Sequence, residues 1–226
     1  MTTYENALKR LVTYRKTAGL TQAALADMLN ISQEVYSCLE NGKIIISGQL
    51  LLRLDTTGLS LNSLITGKTF RYKANDLEKA ISSIPSDAAQ DFVLKLIAEI
   101  IVNDFIKSSA ELPESLMLLS ALCHSWNSFS LLCFVRSKLK LSQINMAERL
   151  GLGIKKYRAL ERENIYPDAE ILSLLYDISG YEPALFMNMP GRKLQIVKSV
   201  WENLAFEKRA AIIKCISALK EYITAK

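Results

Sequence analysis

Apolar residues recur along most of the chain at the three- and four-residue spacing of α-helices. Leu8, Leu11 and Val12 keep this spacing near the start, and the segments 91–106 and 193–223 repeat it. No segment alternates apolar and polar residues with the period of two that a half-buried strand shows. The apolar runs 44–46 and 50–52 are too short for strands. The pattern therefore predicts an all-α protein.

Two stretches carry the signals of a pair of short helices joined by a tight turn. Thr21 and Ser142 are good N-caps, and each precedes a Gln-x-x-x-Ala helix. Asn30 and Gly151 follow these helices at a turn position that needs a left-handed backbone, which asparagine and glycine tolerate best. In the first stretch the next helix is predicted at 32–39. Two such helices that cross at an alanine make a helix-turn-helix.

The two stretches are copies of one another. At a constant offset of 121, seven residues of segment 20–40 are identical to their counterparts in 141–161, and the offset grows to 122 where Gly58 meets Gly180. A fainter match at an offset of 120 relates 81–100 to 201–220. The predicted organisation is a first helix-turn-helix domain at 1–70, a helical appendix at 71–110, a linker at 111–128, a second helix-turn-helix domain at 129–190 and a C-terminal helical appendix at 191–226.

The first copy resembles the Cro/repressor-type, or xenobiotic-response-element, helix-turn-helix family. The resemblance rests on the Gly-Leu-Thr-Gln sequence at 19–22, on Ala26 and on the Glu-Asn-Gly sequence at 40–42. The second copy lacks the family glycine at Glu163 but has the family proline at Pro167. The resemblance implies two tandem five-helix Cro/repressor-like domains, each followed by a helical appendix. It also implies a bacterial or phage transcription regulator, with repression as the expected mode.

In the family that the chain resembles, the second helix crosses the phosphate backbone of double-stranded DNA and the third helix lies in the major groove. An outward amide on the third helix would read adenine, a carboxylate would accept from cytosine, and cations would bind guanine. Glutamines that open the second helix are predicted to contact phosphate. The predicted base-facing residues are Gln33, Glu34, Ser37, Lys155, Lys156 and Arg158, and the predicted phosphate contacts are Gln22, Lys43, Gln143 and Arg15. Ile31, Tyr36 and Leu39 are predicted to face the core.

The positions of the cations support DNA binding, whereas the net charge alone does not. The net charge is +5, from 28 lysines and arginines against 23 acidic residues, which is compatible with a polyanionic partner. Residues 71–130 have five cations and eight anions, whereas 192–226 have eight cations and three anions. On the predicted recognition helix of the second copy, three of the five residues at 154–158 are cations. The second copy is therefore the better electrostatic candidate.

The sequence argues against an enzyme. It has one histidine, His124, and four cysteines without a Cys-x-x-Cys pair, and it lacks a Gly-rich phosphate loop and a Gly-x-Ser-x-Gly elbow. We therefore predict no catalytic residues, no cofactor, no metal site and no small-molecule ligand, and we interpret His124 as a polar residue of the linker. Without a signal peptide or a membrane-length apolar segment, the expected location is the cytoplasm.

Two functions remain open. The first is a sequence-specific regulator that binds double-stranded DNA through two non-identical recognition helices, on an asymmetric or pseudo-palindromic site. The alternative is a protein-interaction module or antitoxin-like regulator, in which one copy no longer binds DNA and the apolar appendix helices hold a partner. The same appendix helices offer faces for homodimerisation.

Overall fold

The chain folds into two compact units, and each unit is built from two separate stretches of sequence. The computed structural model describes residues 2–68, 75–108 and 113–225, and every regular element in those ranges is helical, which confirms the all-α prediction. The first unit comprises Met1–Arg71 and Ser130–Met189, and the second comprises Tyr72–Phe129 and Pro190–Lys226. None of the helices in these ranges is long and apolar enough to span a membrane.

The helices are numbered in chain order. They are α1 (Thr3–Thr17), α2 (Gln22–Met28), α3 (Gln33–Glu40), α4 (Gly48–Thr56), α5 (Leu61–Thr66), α6 (Asp76–Ser82), α7 (Asp87–Ser108), α8 (Glu114–His124), α9 (Leu131–Lys138), α10 (Gln143–Arg149), α11 (Ile154–Glu161), α12 (Ala169–Ser179), α13 (Arg192–Trp201) and α14 (Phe206–Thr224). A 3-10 helix, Pro183–Phe186, follows α12. We call α1–α5 the first helix set, and α9–α12 with the 3-10 helix the second helix set.

The predicted caps and turns of the first unit are confirmed. The Thr21 hydroxyl accepts from the backbone N–H of Ala24, and the Ser142 hydroxyl accepts from that of Asn145, both at 3.1 Å. Asn30 and Gly151 adopt the left-handed backbone with φ of 54° and 65°. These local interactions begin α2 and α10 and end them after two turns, so that the next helix leaves at an angle.

Each helix set has its own apolar centre. In the first set α2 and α3 pack around the buried Ala26, and in the second set α10 and α11 pack around the buried Ala147. The predicted inward residues Tyr36 and Leu39 are buried, but Ile31 is only half-buried. Small side chains at the crossings let the backbones of the two helices approach closely, which fixes the angle between them.

The two helix sets also pack against each other in a reciprocal way. The backbone N–H of Ala169 donates to the carbonyl of Ile46 at 2.9 Å. Conversely, Gly48 lies against Tyr166 and Pro167, and a Cβ atom added to Gly48 would come within 2.6 Å of the Pro167 carbonyl oxygen. The offset of 121 makes Pro167 the counterpart of Ile46 and Ala169 the counterpart of Gly48. The same two positions of each set therefore meet in both directions, as they would across a two-fold axis.

A third contact joins one position to its own counterpart. The side-chain oxygen of Asn62 accepts from the backbone N–H of Ala184 at 2.8 Å, and its amide nitrogen donates to Glu182 at 2.8 Å. Asn62 is 2% exposed, so both polar ends are satisfied inside the protein. At the local offset of 122, Ala184 is the counterpart of Asn62. This contact lies where a local two-fold axis would pass.

The second unit joins the two helical appendices. The predicted helices at 91–106 and 193–223 are confirmed as α7, α13 and α14. Helices α6 and α13 are held together by Lys198 and Glu78, whose side chains approach to 2.6 Å, and by Trp201, whose indole N–H donates to Asp76 at 2.9 Å. The apolar side chains buried around them include Leu77, Ile81, Val93, Ile97, Ile196, Val200, Ile212 and Ile216. Much of the apolar stripe of each appendix is thus covered within the chain itself.

Part of the predicted linker at 111–128 is wrong. Residues 114–124 form α8, which packs on α7 and α13 and buries Leu116, Leu119 and Leu122. His124 is the last residue of this helix instead of a loop residue, and its Nδ1 lies 2.7 Å from the Ser120 carbonyl oxygen. Residues 114–124 have apolar residues at helical spacing and form a helix. The Ser- and Asn-rich sequence that favoured a linker begins only where this helix ends.

Candidate nucleic-acid interface

A buried ion pair ties α1 to the C-terminal end of α3. Arg15 Nε and Nη2 lie 2.6 and 3.1 Å from the two carboxylate oxygens of Glu40, and Nη1 donates to the Leu20 carbonyl at 3.0 Å. The side chains of Arg15 and Glu40 are 13% and 6% exposed. Bidentate pairing of this kind is strong and directional. Arg15 therefore has a structural role, since its guanidinium is bound inside the fold, and its predicted phosphate contact stays a prediction.

Two further side chains complete the cluster around Glu40. Gln22 Nε2 and the Tyr36 hydroxyl donate to its carboxylate, each at 2.8 Å. Burial raises the pKa of Glu40, but the hydrogen bonds from Arg15, Gln22 and Tyr36 outweigh burial and lower it on balance. Glu40 is therefore an anion that fixes α3 against α1 and α2. The predicted phosphate contact of Gln22 stays a prediction, although one amide hydrogen is already used.

The same cluster recurs in the second helix set at an offset of 121. Arg136 Nε lies 2.6 Å from Glu161 Oε1, and Arg136 Nη1 donates to the Leu141 carbonyl at 3.1 Å. Gln143 Nε2 donates to Glu161 Oε2, and the Tyr157 hydroxyl donates to Glu161 at 3.1 Å. Sequence reasoning missed this cluster, although the identical Arg, Gln, Tyr and Glu residues in both copies were the signal that could have revealed it.

The outward face of α3 carries polar residues and the exposed Val35 but no cation. Gln33 and Glu34 are exposed as predicted, whereas Ser37 is half-buried and its hydroxyl is 3.4 Å from Asn41 Nδ2. A hydrogen bond with the Ser32 side chain lowers the pKa of Glu34, so this carboxylate stays ionised. Lys43 is exposed just after the helix. Any attraction between α3 and phosphate must therefore come from outside the helix itself.

The outward face of α11 carries the three predicted cations. Lys155, Lys156 and Arg158 are all exposed. Lys156 Nζ lies 3.3 Å from Asp168, the residue that caps α12, so part of its charge is compensated. Arg158 Nε donates to the side-chain oxygen of Gln143 at 3.2 Å. The structure thus brings Arg158 and Gln143, which sequence reasoning treated as separate contacts, into one hydrogen-bonded pair.

Two of the left-handed turns in the second helix set are made by residues other than glycine. Gly19 and Gly42 have φ of 69° and 67°, and their counterparts at the offset of 121 are Lys140 and Glu163, with φ of 55° and 57°. The backbone follows the same path although the glycines of the first set are replaced by larger residues. The left-handed conformation costs roughly 1–2 kcal/mol for a residue with a Cβ atom.

Cys123, near the end of α8, is half-buried. Burial raises the pKa of Cys123 to about 11, so its thiol is protonated near neutral pH and is a poor nucleophile. Across residues 2–68, 75–108 and 113–225, no three His, Cys, Asp or Glu side chains are grouped as a metal site would require.

Comparison with known proteins identifies one part of this arrangement. The sequence model of the helix-turn-helix family matches residues 11–56, which run from α1 to the end of α4. No curated protein and no solved structure matches the chain. Residues 11–56 are therefore a helix-turn-helix domain, the kind of domain with which transcription regulators bind DNA.

Proposed function

We propose that the protein is a sequence-specific transcription regulator that binds double-stranded DNA through α3 and α11 of a single chain. The observation that carries this proposal is the repeat of the Arg–Gln–Tyr–Glu cluster in the second helix set. In the domain matched by the helix-turn-helix family, this cluster holds the recognition helix against its neighbours. The same hydrogen bonds around Glu161 hold α11, which favours a second DNA-binding head. Repression is the simplest mode of regulation, because a protein that occupies its DNA site can block transcription there without any further activity.

Reciprocal packing of the two helix sets supports binding by one chain alone. Helix-turn-helix dimers read two half-sites that are separated by roughly one helical turn, about 34 Å. The contacts of Ile46 with Ala169, of Gly48 with Pro167 and of Asn62 with Ala184 favour a local two-fold relation between the two sets. A covalent pair of heads makes the second binding event intramolecular and raises avidity by about 10²–10⁴.

The two recognition faces differ in chemistry, so the proposed target is asymmetric or pseudo-palindromic. Helix α3 offers an amide and a carboxylate from Gln33 and Glu34, which suit adenine and cytosine. Helix α11 offers cations, which suit guanine. Lys43 and Gln22 remain the proposed phosphate contacts, whereas both ends of the Gln143 amide already pair with Glu161 and Arg158.

Selection of bound duplexes from a randomised DNA pool tests the proposal. We expect two unlike half-sites about one helical turn apart, and a footprint long enough for both. A variant in which Lys155, Lys156 and Arg158 are all changed to alanine should keep the half-site read by α3 and lose preference at the other. A perfect palindrome, or a single half-site for the wild-type protein, would contradict binding through both helices.

A second candidate role is association through the second unit. Phe92, Phe206 and Tyr222 are 63%, 73% and 82% exposed, so these three aromatic side chains are accessible to a partner. Sedimentation at increasing protein concentration tests this role. We expect a dimer that becomes monomeric when Phe92 and Phe206 are changed to serine. A wild-type protein that stays monomeric throughout would exclude homodimerisation through these residues.

A further inference from the structure

A chain of hydrogen bonds runs from the buried centre of the second helix set to the exposed face of α11. It begins at Arg136 and Glu161, whose side chains are 19% and 7% exposed. Glu161 accepts from Gln143 Nε2, and Gln143 Oε1 accepts from Arg158 Nε at 3.2 Å. The exposed Arg158 is therefore connected, through one glutamine, to an ion pair that the fold holds in place.

The chemistry of the glutamine fixes the direction of this chain. An ionised carboxylate can only accept hydrogen bonds, so the amide nitrogen of Gln143 must face Glu161. The amide oxygen then points the other way, where only a donor can use it. Arg158 Nε is that donor. The orientation of the Gln143 amide thus follows from Glu161 and in turn restrains the guanidinium of Arg158.

Binding through Nε determines which part of the guanidinium remains for DNA. An arginine has five N–H groups in a planar fork, and use of the Nε hydrogen leaves the two terminal nitrogens. These two nitrogens, presented end-on, match the O6 and N7 acceptors of one guanine in the major groove. A guanidinium that is already oriented loses less side-chain freedom when it binds than a free one does.

The first helix set lacks this device and provides an internal control. Gln22 donates to Glu40 in the same way as Gln143 donates to Glu161. The counterpart of Arg158 is Ser37, whose hydroxyl lies next to Asn41. Serine has no guanidinium, so the glutamine of the first set has no arginine to orient.

We propose that Gln143 is a positioning residue that holds Arg158 end-on to a guanine in the half-site read by α11. This inference rests on the proposed function, since it requires α11 to lie in the major groove. It adds that sequence preference at one base pair depends on a residue of α10 that need not touch the base.

A double-mutant cycle tests the inference, with the duplex selected by the wild-type protein as the probe. The variants are Arg158→Ala, Gln143→Met and both together, each measured on the selected duplex and on three duplexes that replace the contacted guanine. We expect each single change to weaken binding about tenfold, which is within the range for one bidentate base contact. The double variant should bind no more weakly than Arg158→Ala, and Gln143→Met should relax the same guanine preference.

The matched control cycle in the first set uses Gln22→Met and Ser37→Ala. The factors by which these two changes weaken binding should multiply in the double variant, as they do for independent sites. Arg158→Lys keeps the positive charge but has neither the Nε donor nor the planar fork, so it should lose the guanine preference while it keeps part of the overall affinity. That variant leaves the hydrogen bond from Gln143 to Glu161 in place, so it remains readable if Gln143→Met is too unstable to assay.

Three results would overturn the inference. Independent effects of Gln143 and Arg158 would show that the glutamine does not act through the arginine. An equal loss on all four duplexes, with a shallower salt dependence, would identify Arg158 as a phosphate contact. Retention of the guanine preference in Arg158→Lys would show that an arginine fork held through Nε does not read the base. An unchanged affinity in Arg158→Ala would instead count against the proposed DNA contact of α11 itself.

Discussion

The backbone of Ala169 donates a hydrogen bond to the carbonyl of Ile46, and so joins the start of α12 to the loop that follows α3. The neighbouring contact of Gly48 with Pro167 uses the same two positions with the helix sets exchanged. Gly48 is the counterpart of Ala169, and Pro167 is the counterpart of Ile46. The interface between the two helix sets therefore depends on the loops that follow both proposed recognition helices.

Gly48→Ala should weaken this interface. A Cβ atom at this position would lie 2.6 Å from the Pro167 carbonyl oxygen, so a backbone segment must shift to make room. We expect a loss of about 1–3 kcal/mol in the free energy of unfolding, measured by urea denaturation. Gly153→Ser is the matched control, because its φ is ordinary and no atom lies near its Cβ position. A Gly48→Ala protein as stable as wild type would contradict the close approach.

Arg15→Met should destabilise the first helix set. The change leaves the carboxylate of Glu40 buried without its cation, and removal of one partner of a buried ion pair typically costs about 3–5 kcal/mol. Lys95→Met is the control, because Lys95 and Glu99 form an exposed pair, 44% and 45% accessible, that should contribute less than about 1 kcal/mol. Thermal and urea unfolding of the two variants would distinguish them. Equal stability would show that Arg15 is free for another role.

Stability should fall as the solution becomes acidic. The pKa values of Glu40 and Asp91 are lowered in the folded protein: burial raises both, but hydrogen bonds from Arg15 to Glu40, and from Lys193 and Trp126 to Asp91, outweigh it. This stabilisation is complete above the ordinary pKa values of 4.5 and 3.8, and is lost as pH falls through the lower folded values. Urea denaturation between pH 7 and pH 3 measures the effect.

Glu40→Gln serves as the control for this pH dependence. It removes one of the carboxylates with a lowered pKa, so its free energy of unfolding should depend less steeply on pH below about 4.5, the ordinary value. A slope identical to that of the wild-type protein would rule out Glu40 as a source of the effect.

Lys140→Gly should stabilise the protein. Lys140 holds a left-handed backbone, with φ of 55°, at a position where the first helix set has Gly19. Relief of about 1–2 kcal/mol of backbone strain exceeds the entropic cost of roughly 0.5–1 kcal/mol that a glycine brings. The reverse change, Gly19→Lys, should destabilise by a similar amount even though no atom crowds its Cβ position. Denaturation midpoints that move the other way would show that the turn carries no strain.

Local features could be predicted from the sequence because their causes lie within a few residues. Thr21 caps α2 by a bond to Ala24, three residues away, and Asn30 closes the turn that follows. The repeat at an offset of 121 likewise showed that two segments share a fold before any contact was known. The outward positions of Gln33, Lys155 and Arg158 follow from helical periodicity alone.

Long-range contacts decided what periodicity leaves open. Arg15 is predicted from its charge as a phosphate contact, but a carboxylate 25 residues away binds it inside the fold. Residues 114–124 form a helix and not a linker because α7 and α13 cover the leucines of α8.

The sequence by itself determined an all-α chain, its caps and turns, the repeat, and the residues that face outward on α3 and α11. Only the tertiary structure decided that the two helix sets meet reciprocally, that the appendices bury each other's apolar stripes, and that Gln143 reaches Arg158. The physical reason is that helix formation depends on neighbours within one or two turns. Pairing depends on shape and hydrogen bonds between residues more than a hundred positions apart, such as Asn62 and Ala184.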